Sequence, residues 1–305
     1  MSAANTRCLV ALGGNVGNVA ETFETALGEL TAGSTDCQSV LLGRISTNFS
    51  TPAVGSQAGG GFLNAAAEVV TTLSPLELLR RLQEIEASHG RDRRRKAEGG
   101  RRKAERQEGR IVSQRPVGPS SLIPHPSSFI PHPSSLITVG APARSQDPTA
   151  WGPRTLDLDL ILYGDQVIDT PELHVPHPAC WYRRFVLDPL VEIAADTIHP
   201  VKQASFGELR SRLLPRPLTV AFTGGTPEQR AELARRLRDE FPAATFDPDW
   251  SGGELPALLP WLGHGPLPEK DVAFDSLPLL PRLDASTADD PLAFLRSVVQ
   301  AALGE

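Results

Sequence analysis

Between about residues 97 and 149 the chain has nothing with which to build a core. The basic run RDRRRKAEGGRRKAERQEGR gives way to VGPSSLIPHPSSFIPHPSSLI, which carries a tandem PHPSS repeat. Dense proline and serine sustain neither a strand ladder nor a helix, so the stretch reads as a low-complexity insertion, and a domain built from both flanks must close across it. The KAE repeated in both halves of the basic run points to local duplication. His125 and His132 share one repeat context with no Cys or Asp partner, which reads as solvated loop rather than a metal site. The basic run has no interleaved aromatics and reads as a tether rather than a nucleic-acid patch.

The flanks look folded. Over 305 residues the apolar content supports a real core, and the net charge of -6 argues against a general nucleic-acid binder. Cys8, Cys37 and Cys180 show no CxxC spacing, so neither a disulfide framework nor a zinc cluster is expected. No apolar run is long enough for a signal peptide or a membrane span, and a cytoplasmic protein is expected. CLVALGG reads as a buried strand ending in a glycine turn, followed by a helix with Asn18 as N-cap and Glu21 completing a capping box. Ser39 to Phe49 and Phe62 to Thr72 read as strands. Ser74 and Pro75 open a second helix that stops at Gly90.

Order returns with WGPRTLDLDLILYGD, Trp151 to Asp165. Strand side chains alternate, so Asp157 and Asp159 share one face while Leu156, Leu158 and Leu160 share the other. Paired carboxylates fit metal or acid–base chemistry; the alternative is an amphipathic edge strand with one solvated face. Further on, LTVAFTGGTPEQRAELARRLRDEFP reads as strand, glycine turn and helix. That is how phosphate-binding units begin, but Thr226-Pro227 stands where a P-loop has its lysine. A second α/β unit without an intact phosphate loop is expected here.

ALGGNVGN, FSTPAVG with FLNAAAEV, GRDRRR, WGPRTLDLDLILYGD, VPHP and RRFVL occur in this order. Together they closely resemble the bacterial hydroxymethyldihydropterin pyrophosphokinase family of folate biosynthesis, over about Thr6 to Arg216 apart from the insertion. The resemblance implies an α+β, ferredoxin-like pyrophosphokinase domain over residues 1–216, interrupted by the insertion; the strand, glycine turn and helix beyond it read as a smaller C-terminal α/β domain over 217–305. The resemblance also implies transfer of pyrophosphate from ATP to 6-hydroxymethyl-7,8-dihydropterin, releasing AMP. The partners would be these two small molecules, with no nucleic acid or membrane, and the protein would act as a monomer.

Residue by residue, the resemblance implies that Asp157 and Asp159 hold Mg²⁺, two ions in all, with ATP as co-substrate. Hard cations suit carboxylate and phosphate oxygens. Thr51, Pro52, Val54, Phe62, Asn64 and Phe185 match the pterin pocket, although both phenylalanines can equally be core. Gln83, Glu86, Trp151, His177 and Arg183 match ATP contacts, and Glu86 can instead solvate a helix face. Gly13, Gly14 and Asn15 match the first loop. Arg154 is placed as a phosphate fork, and Arg91 and Arg93 match the catalytic arginines that close over the triphosphate. Here the insertion splits that loop before Trp151, Ala150 stands where a basic residue is common, and Arg101 and Arg102 repeat the pattern. A pterin and nucleotide binder that has lost efficient transfer is the competing reading.

Overall fold

The computed structural model describes residues 5–32, 39–52, 61–90, 155–265 and 272–304. Strands from both sides of the low-complexity stretch lie in one antiparallel sheet. β1 (Thr6–Gly14) lies between β4 (Phe62–Thr71) and β5 (Asp157–Tyr163), β2 (Val40–Ile45) flanks β4 at the edge, and the short β3 (Phe49–Thr51) also pairs with β4. The sheet order is β2-β4-β1-β5, and the overall class is α+β.

Alternation explains how the sheet is covered. Cys8, Val10, Leu12, Ala65, Ala67, Leu158 and Leu160 point to one face and are buried there against α1 (Val19–Thr31) and α2 (Pro75–Ser88). Ser74 caps α2 with a complete capping box to Glu77, with Pro75 in the first turn, an arrangement worth about 1 kcal/mol. The opposite face of β1 and β4 is covered at its far end by α3 (Arg184–Ala194), through Val186, Leu187 and Leu190 against Leu9 and Ala66.

Three local expectations fail. The strand read over Ser39 to Phe49 is broken: the register shifts between Leu42 and Ile45, and the Ser46 hydroxyl accepts the Ala66 N–H at 2.9 Å. A serine side chain there competes with the backbone ladder. Asn18 stands at the N-cap position of α1, but the expected capping box is not formed: its amide donates to the Glu21 carboxylate at 2.8 Å, so the two side chains satisfy each other rather than the helix amides. Gly13 and Gly14 are the end of β1 rather than a turn, and the left-handed residue is Gly17.

Beyond α3, the two-residue strands β6 (Ile168–Asp169) with β7 (His174–Val175), and β8 (Ile198–His199) with β9 (Ala204–Ser205), make small ribbons, and α4 (Phe206–Ser211) follows. A parallel unit comes next: β10 (Leu218–Ala221), α5 (Pro227–Glu240), β11 (Ala244–Asp247), β12 (Leu259–Trp261), β13 (Arg282–Asp284) and α6 (Pro291–Leu303). β10 pairs with β11 and β12 with β13, and the bridges Val220 to Leu258 and Thr223 to Trp261 join the pairs. One buried apolar cluster runs without a break from Leu9 and Ala66, through α3, Leu209 and Leu213, to Phe294, Leu295, Val298 and Val299 of α6.

Candidate active site

The site is built on the end of the sheet face that α3 leaves uncovered. Register places Asn64 of β4, Gly13 of β1 and Asp157 of β5 in one row across three strands. The next row is Ala66, Ala11 and Asp159. Period-two alternation puts all six on the same face. Gly13 leaves room between Asn64 and Asp157 at the open end of the face, whereas Ala11 and Ala66 in the next row are buried toward α3. A Cβ on Gly13 would lie 3.6 Å from Asn64 Oδ1 and 3.8 Å from Asp157 Cβ, so any larger side chain would fill the gap between them.

Asn64 is buried, and its amide nitrogen donates to Thr51 Oγ1 at 2.9 Å. That bond fixes the amide and leaves Oδ1 on the Gly13 side. Phe62 pairs with Thr51 across the β3–β4 ladder, and Pro52 follows, exposed. A residue not singled out from the sequence holds this loop. The Thr47 N–H and hydroxyl donate to Glu192 of α3 at 2.7 and 2.8 Å. No spacing rule signals a pair separated by 145 positions.

On the β5 side, a bulge opposite Leu9 and Val10 frees Ile161, whose carbonyl accepts the His177 N–H at 3.0 Å. Bulges re-aim neighbouring groups in this way, and here His177 comes within electrostatic reach of Asp159 and Arg183. Burial pushes the imidazole down to about 4, with the Asp159 carboxylate pulling upward and Arg183 downward. The ring is therefore neutral near pH 7. Its Nδ1 accepts the Ala179 N–H at 3.2 Å, which leaves the proton on Nε2. Arg183 lies over the Phe185 ring, 5.7 Å from its centroid, and Phe185 packs half-buried against the apolar cluster of α3.

Glu86 and Gln83 come from α2, on the other face of the sheet. Glu86 has no exposure at all and accepts the Leu158 N–H at 2.9 Å, from the residue between the two aspartates. It does not solvate a helix surface. Val54, Arg91, Arg93, Trp151 and Arg154 lie outside the described residues, as do His125, His132, Arg101, Arg102 and Cys37. Burial raises the thiols of Cys8 and Cys180 to about 12, so neither is a nucleophile near neutral pH.

Among the described residues no cluster of three or more His, Cys, Asp or Glu is placed to hold a metal. The two half-exposed carboxylates, with Gly13 beside Asp157, nevertheless fit Mg²⁺, which takes few protein ligands and completes its shell with phosphate oxygens and water.

Residues 9–107 and 138–195 match the family model described as 7,8-dihydro-6-hydroxymethylpterin-pyrophosphokinase (HPPK). The chain belongs to this family. Three pyrophosphokinases illustrate the likeness, each named 2-amino-4-hydroxy-6-hydroxymethyldihydropteridine pyrophosphokinase. That of Bacillus subtilis (strain 168) is 30% identical over 189 residues, covering 62% of this chain and 78% of the relative. The Synechocystis protein is 30% identical over 192 residues, covering 63% and 68%. The Haemophilus influenzae protein is 29% identical over 194 residues, covering 64% and 85%. The pyrophosphokinase match passes over residues 108–137, inside the low-complexity stretch.

Proposed function

We infer that this pyrophosphokinase works at the Asn64–Gly13–Asp157 face. As a member of its family it transfers pyrophosphate from ATP to hydroxymethyldihydropterin in folate biosynthesis, with ATP as co-substrate and Mg²⁺ as the metal. The pterin hydroxymethyl oxygen attacks the β-phosphorus, AMP leaves, and the pterin diphosphate remains. Phosphoryl chemistry of this kind rests on positioning and on neutralising charge rather than on a covalent nucleophile.

The observation that carries the assignment is the row of Asn64, Gly13 and Asp157, followed by Asp159 beside His177. Asp157 and Asp159 are proposed to hold two Mg²⁺ ions, which when bound offset charge on the phosphates. Asn64, oriented by Thr51, presents its amide to the hydrogen-bonding edge of the pterin. Pro52, Val54 and Phe62 line the same pocket, and Phe185 stacks on the ring. The neutral His177 offers its Nε2–H to the nucleotide, and Arg183 offers a charge-assisted contact. Gln83 and Trp151 are proposed on the nucleotide side, and Glu86, fully buried under β5, supports it by holding the strand through Leu158. Arg91, Arg93 and Arg154 act on the triphosphate as the catalytic arginines.

We further propose that residues 1–216 form a ferredoxin-like pyrophosphokinase domain interrupted over 97–149, with 217–305 as a second α/β domain. The antiparallel order β2-β4-β1-β5 supports the first part. The protein is proposed to act as a monomer in the cytoplasm; among the described residues no helix is long and apolar enough to cross a membrane. Loop-closure entropy grows slowly with length, so the insertion costs lid closure only about 1–2 kcal/mol, and deleting residues 97–149 is expected to preserve or raise activity. AMP release from Mg-ATP and hydroxymethyldihydropterin on the full-length chain tests the assignment. An Asn64→Ala variant that bound the pterin as tightly as the parent would place the pocket elsewhere.

A further inference from the structure

Arg183 stands at the N-cap of α3, and Arg184 and Phe185 are its first two residues. The outer two are the nucleotide and pterin contacts proposed above, and the middle one faces the parallel unit. Arg184 reaches the carbonyl of Leu303, at the C-terminal end of α6, at 3.4 Å. Arg216 donates to the same carbonyl at 2.9 Å. A helix C-terminus carries partial negative charge and unsatisfied carbonyls, so two guanidiniums are well matched to it.

The seat is close-fitting. Gly304 ends α6 in the left-handed conformation at φ +79, and a Cβ there would lie 3.3 Å from Arg184 Cβ and 3.4 Å from its Cζ. Asp188, one turn on, binds the other side of the Arg184 guanidinium at 2.9 Å and takes Arg210 Nε at 2.6 Å. The Arg184 side chain keeps 18% exposure and that of Asp188 13%, so little water screens the pair. At its other end α3 presents Glu192 to Thr47, in the segment leading to Thr51. One rigid helix thereby joins the end of α6 to the pterin side of the site, through apolar packing shared by Val186, Leu187, Leu190, Val299 and Leu303.

We propose that the parallel unit is a positioning element of the pyrophosphokinase: the end of α6, through the Leu303 carbonyl and Gly304, seats Arg184 and so sets the placement of Arg183 and Phe185. The proposal gives residues 217–304 a task that needs no ligand of their own, and Arg184 is its positioning residue. It rests on the reading of Arg183 and Phe185 as substrate contacts.

The test uses the full-length chain, with steady-state AMP release against each substrate and thermal melting as the check on folding. Arg184→Leu is expected to raise the KM for hydroxymethyldihydropterin about fivefold or more while kcat stays within about twofold, because small misplacements of a binding group act on substrate affinity. Arg184→Lys, which still donates to the Leu303 carbonyl, should recover most of that loss. Gly304→Val pushes on the same side chain from the other unit and should shift the KM in the same direction. If Arg184→Leu does not fold, Gly304→Val decides alone. Folded Arg184→Leu and Gly304→Val proteins with parental KM values for both substrates overturn the proposal. A Phe185→Ala protein with parental pterin KM overturns instead the reading of Phe185 on which it stands.

Discussion

The chain carries two glycine pairs at the ends of buried strands, and they have opposite fates. At the end of β1, Gly13 lies in the strand with Asn64 and Asp157 on either side, and its missing side chain leaves space over the sheet. After β10, Gly224 and Gly225 form a left-handed turn, at φ +68 and +57, that is packed shut. A Cβ on Gly224 would run into the Gly263 carbonyl and meet the Trp261 ring at 2.7 Å. The Gly225 N–H donates to the Gly263 carbonyl at 2.8 Å, and Arg230 donates to the Gly224 carbonyl at 2.8 Å. Thr226 Oγ1 takes the Gln229 N–H at the start of α5. The Gly225 and Gln229 N–H groups and the Arg230 guanidinium, donors a phosphate could use, are engaged within the protein, and no lysine stands in the loop. A glycine pair after a strand therefore marks close approach; whether a ligand or the protein itself does the approaching depends on the neighbours.

The comparison is broken most directly at Asp159. Asp159→Ala should lower turnover by roughly two to three orders of magnitude, since charge neutralisation at the triphosphate is worth several kcal/mol. Pterin affinity, followed by fluorescence titration, should stay close to the parent. Near-parental turnover would remove the metal assignment. Next in size is Gly224→Ala, which should destabilise the fold by about 2–4 kcal/mol through backbone strain and overpacking. Chemical denaturation reads this loss, and a stable Gly224→Ala protein would mean that the turn is looser than described.

Gly13→Val makes the reverse argument. β-branched residues suit strands, so melting should change little, while kcat/KM should fall by about tenfold as the methyls enter the gap between Asn64 and Asp157. Unchanged kinetics would show that the gap is not the substrate's path.

The smallest effect lies away from both turns, at His199. It is buried, accepts the Val201 and Lys202 N–H groups on Nδ1, and burial pushes it down to about 3. A folded-state value below the unfolded value means that the unfolded chain binds more protons. Stability contributed by the neutral ring is full above about pH 6.5 and is lost as pH falls, at up to about 1.4 kcal/mol per pH unit. His199→Gln should flatten the decline in melting temperature between about pH 7 and 5 relative to the parent. Parallel curves would show that the ring is not charge-excluded.

Much of this molecule was legible in its residues because the signals are local. Period-two alternation put Asp157 and Asp159 on one face and the leucines on the other, and Ser74, Glu77 and Pro75 announced α2. The misses have local causes too. Asn18 and Glu21 looked like a cap and box but satisfy one another. The segment from Ser39 to Phe49 looked like one strand because a serine that takes a backbone amide cannot be told from a solvent-facing one. The start of α3 was hidden for a different reason: Arg183 makes no side-chain cap, so the helix begins at Arg184 through packing rather than through a capping signal.

By itself the sequence determined the family, the class of chemistry and the paired carboxylates, since motif order and alternation need no knowledge of distant neighbours. Only the tertiary structure decided that Gly13 and Ala11 face those carboxylates, that a bulge brings His177 to Asp159, and that the end of α6 seats Arg184. Register and packing join residues far apart in the chain, and their energies are sums over whole elements rather than properties of any short stretch.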